Sequence, residues 1–542
     1  KQINTHCFKK TQGWPNWKNS SITKNSGGTH LLCPQPLVRL TILLMGLVSV
    51  LLYICLTQLS HQFNWGEGYS ERPILTYLTI YFSLWALYCF TWSLVRKHPN
   101  NKRIFWMIIV FGLLFRVIIL PSHQIQEDDV YRYLWDGKVF ANGINPFEYA
   151  PSEVNNFKAF RVQNPEAYYE TYVNRNEREL EQLDKLKWAS PRSLKYLERV
   201  NHPDVPTIYP PIAQFVFRLA HHIKPDSIFV LRSWFLIFDI LTLVFIIGIL
   251  SKLGLDKSNC LIYFWSPLIL KETFNSTHLD IIGISLLSGS IYFLLCNRHK
   301  LATLFLALGF LGKLYPVILL PLYLKACHEK MLLLGKKAWL APLGSIGLFL
   351  AVVVLGYLPF IGIGLQMFDG LKAFTLYWQS NDSIFAILVF VFKTVFAKFT
   401  NETVFSNSLP VFLSKLTVAL VLIGVLLRLM YKGGSLLEQP IEFIRGIFWI
   451  MALVFLLSPV QNPWYLSWVV PFLCIFPERS WITLTGLVGL YYLDFYFDYQ
   501  ELEKLSLWIP WVEYLPFYFL LSLEFRKNQN KKKLSKNFAD KG

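Results

Sequence analysis

The run LVRLTILLMGLVSVLLYICLTQL, residues 37–59, carries Arg39 as its one charged side chain. A helix needs roughly 20 apolar residues to cross a hydrocarbon core about 30 Å thick, so this run reads as a membrane span. Runs of the same kind follow at 73–95 and 104–120 and recur almost to the C-terminus. The 542 residues are 54% hydrophobic, with a mean hydropathy of +0.37. A soluble chain this long would divide into several domains with polar surfaces. The expected fold class is therefore an all-α polytopic membrane protein. Its 18 Trp, 27 Tyr and 44 Phe suit interfacial belts around such a bundle.

The net charge of +17 does not point to nucleic acid. The basic residues sit mainly in short loops between apolar runs and in the tail 526–536, the pattern of cytoplasmic loops. No module interleaving aromatic and basic residues is present, so nucleic acid is excluded as a partner. Eight cysteines show neither CxxC nor metal-ligand spacing. Several lie within apolar runs, where Cys serves as a small apolar residue. Residues 1–36 are polar and read as a cytoplasmic tail rather than a cleavable signal.

Charge orients the rest. The loop Arg96-Lys-His-Pro-Asn-Asn-Lys-Arg103 stays cytoplasmic with the N-terminus, which puts residues 121–208 outside. That loop is too long for a plain connector, and its apolar and aromatic content argues for order. Spans resume at 228–250, 260–273 and 279–296. The stretch 301–324 has basic residues at both ends, so we expect two short helices folded as a hairpin with Gly312-Lys313 near its tip. Residues 339–360 cross outward, 361–383 form a second external loop, and 384–396 are re-entrant. Further spans fall at 409–430, 443–457, 465–476, 481–497 and 505–523. The expectation is about 12 crossings plus short re-entrant helices within 37–524, and a basic cytoplasmic tail at 525–542. No repeat of fixed period is visible, and no inverted repeat of the kind secondary transporters carry.

The densest chemistry is Gln126-Glu-Asp-Asp-Val-Tyr-Arg-Tyr-Leu-Trp-Asp-Gly137. If residues 128–141 are helical, Asp129, Tyr133 and Asp136 share a face. Arg132 lies four residues after Asp128, and Val130, Leu134, Val139 and Phe140 float the helix in the interface. Acids at a helix start serve as caps, but one suffices and Glu127, Asp128 and Asp129 are three. The surplus points to a general base, Asp128 or Asp129, with Asp129 slightly favoured as the helix-facing partner of Asp136. Asp136 is a catalytic candidate that could equally pair with Arg132 or Lys138. Glu127 and Asp128 offer oxygen ligands that suit Mg2+ or Mn2+ as a candidate cofactor.

These residues resemble the first external loop of the GT-C glycosyltransferases, multispanning enzymes that use lipid-phosphate sugars. The likeness is to bacterial mannosyltransferase-like members and, more distantly, to the GPI mannosyltransferase I family. Asp128-Asp129, Asp136-Gly137, Gly143-Ile-Asn-Pro-Phe147 and Tyr209-Pro-Pro211 occur in that family's order. Glu272-x5-His278-x-Asp280, Gly312-Lys-Leu-Tyr-Pro316, Tyr377-Trp378-x2-Asn381-x-Ser383 and Ser458-Pro-Val-Gln-Asn-Pro-Trp-Tyr465 match by character. The resemblance covers roughly residues 104–470. The departure is a longer insert, 152–202, whose run 177–187 is charged and expected to be helical.

The resemblance implies an inverting transfer of a sugar, mannose first, from a polyprenyl-phosphate donor to a hydroxyl of a lipid, glycan or protein. One carboxylate then takes the acceptor's proton, unlike retaining hydrolases, which need a second as nucleophile. Lys313 is the first choice to meet the departing phosphate, because a buried lysine is costly in a membrane and needs a partner or a purpose. Arg132 and His278 come next. His278, with Asp280 and Glu272, reads equally well as a structural polar cluster. Tyr209, Gln461, Asn462, Trp464 and Tyr465 are candidates to line the sugar or lipid pocket, or to form an interfacial belt. The expected setting is the bacterial inner membrane, with the site on its periplasmic face. The competing classes are a transporter or flippase of an amphiphile and a structural subunit of an envelope complex. No P-loop, GxSxG or HExxH supports a soluble-enzyme reading.

Overall fold

A computed structural model describes residues 35–539 apart from 64, 67, 173–174, 336 and 397–404; for 171, 405–407 and 531–539 it describes the backbone alone. The expected tail at 1–36 thus lies almost wholly outside the described residues. Among them the structure is helical, and the one β contact is an isolated parallel bridge between Ser380 and Val460.

The first three apolar runs form α1 (Gln35–Ser60), α2 (Ile74–Val95) and α3 (Lys102–Ile119). Asn101 starts α3 by accepting hydrogen bonds from the Arg103 and Ile104 amides, which satisfies donors that a helix start leaves orphaned. The long loop is ordered, with α4 (Asp129–Ala141), α5 (Pro151–Gln163), α6 (Pro165–Tyr172), α7 (Glu177–Lys187) and α8 (Pro191–Leu197). It closes at α9 (Pro211–Ile223), where Pro211 takes the first helical position, the one that needs no amide hydrogen. α4 packs directly on α9: a Cβ on Gly137 would lie 2.5 Å from the Phe217 carbonyl oxygen.

α10 (Ile228–Lys252) then packs against α11 (Asp280–Leu295), which pairs with α12 (His299–Gly312). α12 ends at Lys313, whose backbone is extended. A single 3-10 turn, Tyr315–Leu319, leads into α13 (Leu320–Leu333). The far ends of these two helices meet: His299 Nδ1 is 3.3 Å from Cys327 Sγ, and Lys330 donates to the Asn297 carbonyl at 2.8 Å. The expected hairpin is present, with Lys313 at its tip. α14 (Leu340–Tyr357) runs into a 3-10 stretch, Leu358–Phe368, and α15 (Asp369–Tyr377), so the loop expected at 361–383 is largely helical. The last third holds α16 (Ile384–Phe396), α17 (Phe405–Lys432), α18 (Pro440–Leu456), α19 (Arg479–Leu487), α20 (Leu493–Tyr499) and α21 (Ile509–Ala539).

Among the described residues five helices, against the expected dozen, are long and apolar enough to cross a bilayer: Gln35–Ser60, Tyr69–Val95, Ile228–Lys252, Leu340–Tyr377 and Ser408–Lys432. The other runs are interrupted or charged. α3 carries Lys102, Arg103 and Arg116, and α18 is 17 residues long. The run 260–273 breaks at Trp265, restarts at Pro267 and ends in a π-helical turn, Lys271–Asn275. The run 465–476 is two single turns, Pro463–Leu466 and Val470–Leu473. Broken backbone at membrane depth survives where protein buries it, and both broken segments are almost completely buried.

Two buried arginines tie this frame together. Arg116 pairs with Asp239 at 2.5 Å with both side chains fully buried, and Tyr263 donates to the same carboxylate. Arg232 donates to the Leu120, Ser122 and Asn275 carbonyls, fixing the exit of α3 against the broken 260–278 segment. The acidic loop therefore leaves α3 from a rigid point.

Candidate functional site

Gln126 takes a left-handed backbone (φ 62), and the chain turns there into Glu127 and α4. Asp128 occupies the N-cap position, yet its side chain makes no capping bond. Its Oδ1 instead accepts from Asn201 Nδ2 at 2.8 Å, and Asp129 Oδ1 accepts from the same nitrogen at 2.8 Å. The other oxygen of Asp129 accepts from the Tyr133 hydroxyl at 3.3 Å and lies 3.5 Å from His278 Nδ1. The two neighbours thus differ: Asp129 faces an imidazole and a phenol as well as the Asn201 amide that it shares with Asp128.

Electrostatics follow from this. Burial first, then the charge of Asp129, push Asp128 up to about 7, against the Asn201 hydrogen bond. Burial would raise Asp129 too, but His278, Asn201 and the Lys313 charge outweigh it and hold Asp129 at about 2. Glu127 is pushed well above the usual carboxylate range by burial and by Glu272, Asp129 and Asp128, against the opposing charge of Lys271. These are the three ways an environment moves a carboxyl group.

The acids open onto a cavity of about 1030 Å³. Of the residues singled out in the sequence, Glu127, Asp128, Asp129, Arg132, Tyr209, Lys313, Asn462, Trp464 and Tyr465 line it. Lys313 reaches it from the hairpin tip. Its Nζ is 3.2 Å from Asp280 Oδ1 and 4.9 Å from the centre of the Tyr465 ring. Gly283 makes that approach possible, since a Cβ there would lie 2.9 Å from Lys313 Cβ.

Asp136, His278, Asp280 and Gln461 do not line the cavity but stand behind it. Asp136 pairs with Arg132 at 3.1 Å and accepts from Gln214, so the structural alternative for Asp136 is the one its contacts support. The pair also explains why Arg132 does not turn to Asp128; its other end donates to the Val205 carbonyl. His278 stacks on Trp464, ring centres 3.9 Å apart, between Asp129 and Glu272. Asp280 accepts from Trp468 Nε1 at 2.7 Å. Gln461 accepts from Ser383 and donates to the Leu456 and Ser458 carbonyls, holding the 458–465 turn in shape.

Among the described residues no group of three or more His, Cys, Asp or Glu side chains is arranged to hold a metal ion. Asp128 accepts from Asn201, and Glu127 Oε2 lies 3.9 Å from His278 Nε2.

Sequence reasoning missed Asn201, His202, Lys415, Tyr491 and Phe495, all of which line the cavity. No motif marks them, because each reaches the site through tertiary packing. It also passed over Lys271, which donates to Tyr492 while Tyr492 donates to Glu272. A lysine next to a glutamate within an apolar run was the available signal.

Residues 385–496 match the family model of the MptB C-terminal domain. The matched stretch supplies one wall of the cavity, including Asn462, Trp464, Tyr465 and Tyr491. No curated protein matches the chain. That domain is of a mannosyltransferase family, so the match supports a mannosyltransferase-like family at a coarse level and, with the apolar helices, suggests a membrane mannosyltransferase.

Proposed function

We propose that the protein is a GT-C-type glycosyltransferase that moves a sugar, mannose first, from a polyprenyl-phosphate donor to an acceptor hydroxyl. Asp128 takes the acceptor's proton as the oxygen attacks the anomeric carbon from the face opposite the phosphate. The bond from that carbon to the phosphate oxygen breaks, and its electron pair leaves with the phosphate. Lys313 meets the charge that develops there. The sequence leaned toward Asp129, but its surroundings keep it a weak base, whereas Asp128 is poised near neutral pH, where a general base works best. Arg132 and His278 then hold the site rather than the phosphate. On this reading the reaction takes place on the external, periplasmic face of a bacterial inner membrane, a side that the basic loops of the sequence favour.

The observation that carries this reading is one cavity lined both by adjacent carboxylates and by a lysine, large enough for a sugar with its phosphate. Tyr465 and Trp464 supply aromatic faces beside them. The test is sugar transfer from a polyprenyl-phosphate donor by the purified protein in lipid vesicles. Formation of a glycosidic bond by the wild-type protein, lost in Asp128→Asn, supports the reading. Passage of an amphiphile across the vesicle without bond formation would instead make the protein a transporter. Base and counter-charge come from the chain itself, so transfer is expected to survive EDTA; its loss, restored by Mg2+ or Mn2+, would bring a metal back.

A further inference from the structure

Asp128 and Asp129 are consecutive, and successive side chains at a helix start point about 100° apart. Two carboxylates that can both ionise also repel. Yet one oxygen of each lies 2.8 Å from a single nitrogen, Asn201 Nδ2. An amide nitrogen has two hydrogens, and here each serves a different acid. Resting on the glycosyl-transfer reading above, we infer that Asn201 is a positioning residue whose amide clamps the Asp128 and Asp129 carboxylates together at the acceptor position.

The backbone around Asn201 is built to hold that amide still. On one side Arg199 donates to the Tyr131 hydroxyl at 2.9 Å. On the other the Ser152 amide donates to the Pro203 carbonyl at 3.0 Å, and Arg132 donates to the Val205 carbonyl at 2.6 Å. Two of these three ties run back to α4, the helix that begins with the acids, so the clamp and what it clamps move together. His202 takes a left-handed backbone (φ 46), which turns the chain sharply just after Asn201. A non-glycine residue there carries strain, of the kind that persists where surrounding structure enforces it.

The choice of amide also has chemical meaning. A lysine or arginine at 201 would neutralise the acids and weaken the base. A neutral donor fixes their geometry and leaves their charge available. Asn201 is the next-to-last residue of the insert 152–202, which departs from the family pattern. The insert therefore completes the site instead of merely decorating the loop.

The test uses the full-length protein in vesicles with a polyprenyl-phosphate sugar. Asn201→Ala is expected to lower kcat at least tenfold with KM for the donor changed by less than twofold. Asn201→Asp has the same size but puts another carboxylate against Asp128 and Asp129, and is expected to lower kcat further. If Asn201 only fills space, the order reverses: the alanine variant is the worse one and melts earlier. That order, or unchanged kcat in both variants, overturns the inference. A second measurement needs no donor. Carbodiimide labelling of Asp128 and Asp129, read by peptide mass spectrometry, is expected to change in ratio in Asn201→Ala. An unchanged ratio overturns the clamp, whereas absence of transfer by the wild-type protein overturns the glycosyl-transfer reading alone.

Discussion

At the scale of single residues, two neighbouring acids with the same chemistry meet different surroundings, and the proposed reaction uses only Asp128 as its base. Asp128→Asn is expected to lower kcat by 10²-fold or more, about what loss of a general base costs. Because burial and Asp129 raise Asp128 to about 7, the proposed base is mostly charged only above that pH. Transfer should therefore fall as the pH drops through about 7. Asp129→Asn removes a charge that raises Asp128, so its residual activity should keep the acidic limb but move it to lower pH. A pH profile of kcat/KM for both variants checks this; a limb that stays put in Asp129→Asn would show that the two acids do not communicate. The acid cluster was legible in the sequence because three carboxylates in a row exceed what a cap requires. Which acid is the better candidate base was not legible, because His278, Tyr133 and Asn201 lie far along the chain or on the next turn.

At the scale of elements, close contact between α4 and α9 carries the site. Gly137 sits against the Phe217 backbone, so Gly137→Ala must push the helices apart. The expected cost is about 1–3 kcal/mol, as for other overpacked interfaces, read as an earlier melting transition together with weaker transfer. Arg116 and Asp239 stand outside the cavity lining, and both side chains are fully buried. Asp239→Ala would leave an unpaired buried charge, at a cost of about 3–5 kcal/mol. Replacing both partners by apolar residues of similar volume should restore much of the melting temperature. The hairpin at 299–333 was legible because basic residues at both ends forbid a single crossing. The breaks at 260–278 and 463–473 were not. Composition alone reads them as spans, and only their buried surroundings allow the backbone to interrupt its own hydrogen bonding.

At the scale of the whole molecule, the charge pattern makes a claim about sides. In a background freed of native cysteines, Glu181→Cys should react with a membrane-impermeant maleimide in intact cells. Lys97→Cys should react only after lysis. The opposite result would invert the topology and move the acid cluster to the cytoplasm. Both positions are exposed on the protein surface, so accessibility of the side chain itself does not limit the comparison.

The sequence by itself determined that the chain is helical and apolar enough for a membrane, and where its acids gather. Those properties depend on local composition and on charge in short segments, which a single chain displays openly. Only the tertiary structure decided that Asp136 turns away to Arg132, and that Lys313 arrives opposite the acids from a hairpin tip. It alone also showed that an asparagine more than seventy residues on donates to both Asp128 and Asp129. Each of these depends on which elements pack side by side, and no local pattern encodes that.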